Sequence, residues 1–227
     1  MGAVLQTEAT LADAIGGLFP PDVSVAAMAI GKAQVAALFH VEQRAIGGAV
    51  SRRQQEFAAG RLAAHQAQRA LGLKAQAVAM AADRAPIWPM GLCGSISHSG
   101  GVAAAAVGKR DAWAALGLDI EEDTDLPAEI VETVLLPAER AWLAPRADAG
   151  RLARVIFSIK EAIYKAQFPL TRQLIGFEAF QVSLDPQQGR FEARFQQNCP
   201  PFTQDEGLAG RFARHGGLIL SALAIPG

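Results

Sequence analysis

The sequence predicts an α+β fold, on three observations. Stretches with strand character and stretches with helical character follow one another without regular alternation, which disfavours a doubly wound parallel sheet. No glycine-rich phosphate loop of either standard spacing occurs. At 227 residues, with 51% hydrophobic and 19% charged residues, the chain is long enough and apolar enough to bury a substantial core.

The elements follow in order. Residues 1–50 are alanine-rich apolar runs broken by Gly and Pro, with 23–29 reading as a strand; the first 45 residues carry no recognisable motif. A helix opens at Ser51, a suitable N-cap, and ends before Gly72, with good helix formers between. Two prolines within 83–91 exclude regular structure there. Residues 92–96 and 102–107 read as strands on either side of a polar elbow, 97–101, which contains His98. A third strand, 112–120, leads into 121–139, where seven acidic residues, no basic one and two prolines indicate a loop and a short helix. A longer helix is expected over 152–167, stopping before Pro169. Strands at 178–184 and 190–196 flank a turn, and 217–225 reads as a final strand.

Bulk properties exclude some functions. A net charge of −1 gives no global attraction for nucleic acid or an anionic membrane. Cys93 and Cys199 lack metal-ligand spacing, and His40, His65, His98 and His215 are scattered, so a zinc site is not expected. No signal peptide and no run of roughly 20 apolar residues is present, and a reduced, cytoplasmic setting is expected.

Two segments carry the chemistry. In Gly117-Leu118-Asp119-Ile120-Glu121, a strand would put both carboxylates on one face and Ile120 in the core; two like charges so close favour a hard divalent cation. The same pattern also arises where a strand simply leaves the core. In Phe157-Ser158-Ile159-Lys160-Glu161-Ala162-Ile163-Tyr164-Lys165, the stripe Val155, Ile159, Ala162, Ile163 and Ala166 is apolar, with Ser158, Glu161 and Lys165 on another face. Glu161 and Lys165 alone would be an ordinary i,i+4 surface pair. Arg53 and Arg61, about 12 Å apart along one helix, could grip an extended anion or stand in solvent.

Together, Arg53-Gln-Gln-Glu-Phe-Ala-Ala-Gly-Arg61, Arg84-Ala-Pro-Ile-Trp-Pro89, Gly94-Ser-Ile-Ser-His98 and the two segments above resemble the 4′-phosphopantetheinyl transferase superfamily. The likeness is to the monomeric type that activates siderophore, nonribosomal peptide and polyketide synthases, and it spans roughly residues 50 to 170. It implies two similar α+β subdomains, 1–110 and 111–227, with coenzyme A in the cleft between them and an apo acyl or peptidyl carrier protein as partner. It implies Mg²⁺, or Mn²⁺, on Asp119, Glu121 and Glu161, with Glu161 also the base, directly or through a water. Lys160 and Lys165 would neutralise the transferring phosphate, and Arg53, Arg61, Arg84, Ser97 and His98 would hold coenzyme A. Relatives can carry a lysine just before the Arg84 segment; here Ala79-Met80-Ala81-Ala82 lacks one, leaving Lys74 or Arg84 to replace it. Residues 121–145, with Leu135, Leu136 and Trp142 among acids and prolines, could form part of the carrier-docking surface or pack internally. Another Mg²⁺-dependent phosphoryl enzyme, or a binding module without catalysis, are the competing readings.

Overall fold

The computed structural model describes residues 8–227 and has the expected α+β architecture. A first helix, α1 (Glu8–Gly16), precedes strand β1 (Ser24–Ala29), helix α2 (His40–Ile46) and the long helix α3 (Ser51–Ala70). Two short strands, β2 (Ala79–Met80) and β3 (Pro86–Ile87), pair with each other, and the hairpin β4 (Leu92–Ser99) and β5 (Val102–Lys109) follows. Strand β6 (Trp113–Glu122) then leads through α4 (Val131–Val134) and α5 (Pro137–Leu143) to the longest helix, α6 (Ala149–Thr171). The chain ends in four strands, β7 (Phe180–Asp185), β8 (Arg190–Phe195), β9 (Gly207–His215) and β10 (Leu218–Pro226).

The main sheets have orders β1-β5-β4 and β6-β10-β9-β8-β7, with antiparallel neighbours throughout. Each is built the same way: a strand, a helical crossover, then consecutive antiparallel strands, two in the first sheet and four in the second, the last of which returns to pair with the first. β4 and β6 meet through side chains. Leu118 N donates to Ser95 Oγ at 3.0 Å, and Ile120 N donates to Ser97 Oγ at 3.2 Å.

The β6–β10 pair is buried on both faces, which is why residues 112–120 read as a continuous apolar run. Leu116, Leu118, Ile120, Leu218 and Leu220 pack with α1, Cys93, Ala104 and Ala106. Ala115, Ile219 and Leu223 pack with the apolar stripe of α6, and all five stripe residues are fully buried. Both cysteines are buried and free. Among the described residues, no helix is long and apolar enough to cross a membrane.

Several expectations need correction. β4 runs through Ser99, so His98 sits on a strand and the turn shrinks to Gly100 and Gly101, both at positive φ. Residues 83–91 do contain a strand, because Pro86 and Ile87 pair with β2. α6 continues through Pro169 to Thr171. A proline near the end of a helix removes only one ladder bond, and Arg172, left-handed at φ 57°, closes the last turn by donating its N–H to Phe168 O at 2.9 Å. Ser158 is buried rather than on a polar face, and Leu135 packs into the core, so neither lies where the sequence suggested. Strand β9 and helices α1 and α2 lie beyond what the sequence predicts: both helices are short, nine and seven residues, and β9 alternates weakly.

Glycine sets how closely the long helices approach the sheets. A Cβ on Gly60 of α3 would lie 2.7 Å from Ile96 Cγ2, and one on Gly117 of β6 would lie 2.1 Å from the Ala162 carbonyl oxygen of α6. The second clash is with backbone and cannot be relieved by a rotamer change. Gly117→Ala should therefore lower stability by about 1–3 kcal/mol or more, measured by urea unfolding; an unchanged midpoint would mean that α6 does not bear on this strand as described.

Candidate active site

A cavity of about 430 Å³ opens between the two main sheets and their long helices α3 and α6. α3 lines it with Arg53, Glu56, Phe57 and Arg61; β4 with Ser97 and His98; β6 with Asp119 and Glu121; α6 with Phe157, Glu161 and Lys165; and the turn before β3 with Arg84. Nine of the ten residues singled out in the sequence thus face one space.

Lys165 is the central cation. Its Nζ donates to Asp119 Oδ1 at 2.6 Å, to Ser97 Oγ at 3.0 Å and to Leu118 O at 3.2 Å. Helical side chains lean toward the N-terminus, which lets Lys165 reach back along α6 to the middle of β6. Ser97 Oγ in turn donates to Asp119 Oδ1 at 3.0 Å. Asp119 is 3% exposed, and its Oδ2 is buried without a hydrogen-bond partner among the described residues.

The other two carboxylates are destabilised as anions. Burial, then repulsion from Asp119, pushes the Glu121 carboxyl up to about 7, against the pull of Arg154 and Lys165. Burial also raises Glu161, with Lys165 opposing and Asp119 adding to the shift. Arg154 Nη1 donates to Glu121 Oε2 at 3.2 Å and Nη2 to Asp125 O at 3.1 Å.

On the opposite wall, Arg53 Nη1 donates to His98 Nε2 at 3.1 Å and to Glu56 Oε2 at 3.4 Å. Burial makes His98 less basic than a free imidazole, with Glu56 opposing, so it accepts from the guanidinium. Burial would raise Glu56, but hydrogen bonds from Arg52 and Arg53 and the charge of His98 hold it below the ordinary carboxylate range. Arg61 is 6% exposed; its Nε donates to Val78 O at 2.7 Å and its guanidinium lies 4.3 Å from the Phe57 ring. Burial brings its pKa down to about 10.

Arg84 lines this cavity and an adjoining one of about 250 Å³, from a left-handed backbone at φ 69°. Lys74 lines neither, so of the two suggested replacements for the missing lysine only Arg84 is in reach of the cleft.

Lys160 is the exception among the sequence candidates. Its ammonium is fully buried and donates to Val134 O at 2.8 Å, Glu139 Oε2 at 2.8 Å and Phe177 O at 3.1 Å, which satisfies all three N–H groups away from the cavity. Burial lowers its pKa against the attraction of Glu139. Lys160 is a structural cation; i+1 from Ile159 and i−1 from Glu161, it takes the far side of the helix.

Glu56 and Arg154 were missed. Each carried a signal: Glu56 stands i+3 from Arg53, and Arg154 lies two turns before Glu161 on the same helix.

Asp119, Glu121 and Glu161 suit a hard cation. They are three carboxylates in one cavity, with Glu121 and Glu161 held toward the neutral form first by burial and then by the charge of Asp119, which a bound cation would offset. Among the described residues, no three such side chains are already closed to ligand spacing. Two of the three are instead turned onto Lys165 and Arg154.

Residues 41–108 match the family model described as the 4′-phosphopantetheinyl transferase N-terminal domain, and residues 115–212 match that of the 4′-phosphopantetheinyl transferase superfamily. The chain is 36% identical over 196 residues to 4′-phosphopantetheinyl transferase Svp of Streptomyces mobaraensis, covering 84% of this chain and 80% of that protein. It is 34% identical over 193 residues to 4′-phosphopantetheinyl transferase Npt of Nocardia iowensis, covering 81% and 87%. To 4′-phosphopantetheinyl transferase PptT of Mycobacterium tuberculosis it is 35% identical over 191 residues, covering 79% and 82%.

The buried Lys160–Glu139 pair yields a prediction. Lys160→Met should cost about 3–5 kcal/mol, because it strands the Glu139 carboxylate in the core. Adding Glu139→Gln should recover much of the loss. Urea midpoints of the single and double variants test this; additive losses would show that the two groups do not interact.

Proposed function

The chain belongs to the 4′-phosphopantetheinyl transferase superfamily, and on that premise we propose what it transfers, from where and to what. The donor is coenzyme A and the acceptor a serine hydroxyl of an apo acyl or peptidyl carrier protein. The products are the holo carrier and adenosine 3′,5′-bisphosphate. The carriers are those of siderophore, nonribosomal peptide or polyketide synthesis. We read residues 1–110 and 111–227 as two subdomains of one catalytic unit, acting as a cytoplasmic monomer.

One observation carries this reading. The cavity presents four basic side chains, Arg53, Arg61, Arg84 and Lys165, and four acidic ones, Glu56, Asp119, Glu121 and Glu161. Basic groups sit on both walls, as an extended polyphosphate requires, and three carboxylates gather at one place between them.

In this scheme Arg53, His98 and Arg84 hold the phosphates of coenzyme A, with Arg61 contributing the part of its guanidinium not committed to Val78. Mg²⁺, or Mn²⁺, held by Asp119, Glu121 and Glu161, would supply charge neutralisation on the pyrophosphate oxygens. Glu161 accepts the proton of the carrier serine. Its raised pKa suits a base that must lose the proton again. The serine oxygen forms a bond to the phosphorus bearing pantetheine, and the bond from that phosphorus to the bridging oxygen breaks. The electron pair leaves with adenosine 3′,5′-bisphosphate. Lys165, fixed by Ser97, faces the charge that develops there. Lys160 has no part in the reaction.

The test is the intact mass of an apo carrier protein incubated with the chain, coenzyme A and Mg²⁺, with a chelator control. Gain of one phosphopantetheine, lost on chelation, is expected. Glu161→Ala should reduce the rate about 10²–10⁴-fold while remaining folded, and Asp119→Ala should abolish the metal-dependent transfer. Tight coenzyme A binding without any transfer to several carrier types would favour a binding module instead.

A further inference from the structure

Three buried oxygen atoms have no hydrogen-bond partner among the described residues and belong to residues that the fold stacks together: Asp119 Oδ2, Ser158 Oγ and Ser221 Oγ. Their residues are 3%, 0% and 0% exposed. Ser221 on β10 lies directly across the ladder from Asp119 on β6, and residues opposed in this way project from the same face. α6 crosses that face antiparallel to β6. At one end Arg154 reaches Glu121, and at the other Ala162 presses on Gly117. Ser158 is midway between Arg154 and Ala162, and Asp119 is midway between Glu121 and Gly117. Eight residues of helix and four of strand each cover about 12–13 Å, so the two midpoints face each other.

Buried polar atoms are rarely left unpaired, and three on facing positions call for a common partner. A single internal water, which takes about three hydrogen bonds, fits that requirement. We propose that Ser158 and Ser221 are positioning residues that, with Asp119 Oδ2, bind one internal water and so fix the second oxygen of Asp119. Lys165 and Ser97 fix the first. The carboxylate plane is then set from both sides before any cation arrives, and neither serine touches substrate. The inference rests on Asp119 being a metal ligand, as the proposed function has it.

The probe is Mn²⁺, titrated by electron paramagnetic resonance into the complex of the full chain with coenzyme A. Ser221→Ala and Ser221→Val should weaken Mn²⁺ about 10–100-fold, the range seen when groups behind a ligand are removed. Ser221→Thr keeps the hydroxyl and should bind as the wild type does. Ser158→Ala should weaken Mn²⁺ similarly, and the double alanine variant should lose little more than either single one. The coenzyme A dissociation constant should stay within about twofold. Melting temperatures report folding separately, and if Ser158→Ala fails to fold, the Ser221 series decides alone. Folded serine variants that bind Mn²⁺ like the wild type would overturn the proposal and leave the function standing. A wild-type complex that binds no Mn²⁺ would overturn both.

Discussion

The ion pair between Lys165 and Asp119 is the constraint around which the molecule is arranged. Asp119 is nearly inaccessible to solvent, and a carboxylate cannot be buried there without a partner. Lys165 provides one from α6, and Ser97 joins both from β4, so a single cluster ties three elements at the junction of the halves. Removing either charge would do more than weaken a contact. It would leave the other charge stranded at the seam between two sheets that meet through serine side chains. Gly117 completes the arrangement, since any side chain there would lift α6 away and withdraw Lys165 and Glu161 together.

A second buried carboxylate recurs in each half, and its recurrence exposes a kinship between the halves that composition hides. Glu42, at the third position of α2, accepts from Phe39 N at the start of that helix, from His65 on the following long helix and from Val78 N beyond it. Glu139, at the third position of α5, accepts from Leu136 N, from Lys160 on the following long helix and from Val182 N beyond it. In both halves one carboxylate caps a short helix, pins the long helix to it and fixes the segment that leads back to the sheet. The partner is a histidine in one half and a lysine in the other, and the two long helices share no spacing motif. The correspondence is therefore one of physical role, visible only once the crossovers are folded.

What the sequence revealed depended on whether a residue's neighbours lie close along the chain. The α6 stripe and the α3 helix are local patterns with helical period, and both were legible. The paired carboxylates of β6 were legible because alternation on a strand needs only two residues. The placement of Lys160 away from the cavity is hidden for the same reason. Flanking Glu161 in a charged triplet, it looked like part of a phosphate site, while its three acceptors come from residues 134, 139 and 177, all distant in sequence. Glu56 and Arg154 do not stand out in the sequence, because their importance arises from His98 and Glu121, across the cleft or on another element. The end of α6 is not legible from Pro169 alone, because the left-handed cap at Arg172 lets the last turn close.

The charge balance of the cavity bears on how substrate enters. Its four basic side chains face four acidic ones, of which Glu121 and Glu161 resist ionisation, and His98 is held toward its neutral form. A polyphosphate moved into such a space from water would lose solvation for only a modest net attraction. The balance is not uniform, however. Arg53, Arg61 and Arg84 occupy the wall built from the first half, whereas Asp119, Glu121 and Glu161 gather on the wall formed by β6 and α6. A polyphosphate can therefore lie along the basic wall while the acidic wall admits a cation, and each makes the other's entry more favourable. On this argument neither partner should bind strongly alone, and the cleft acquires its affinity for the pair.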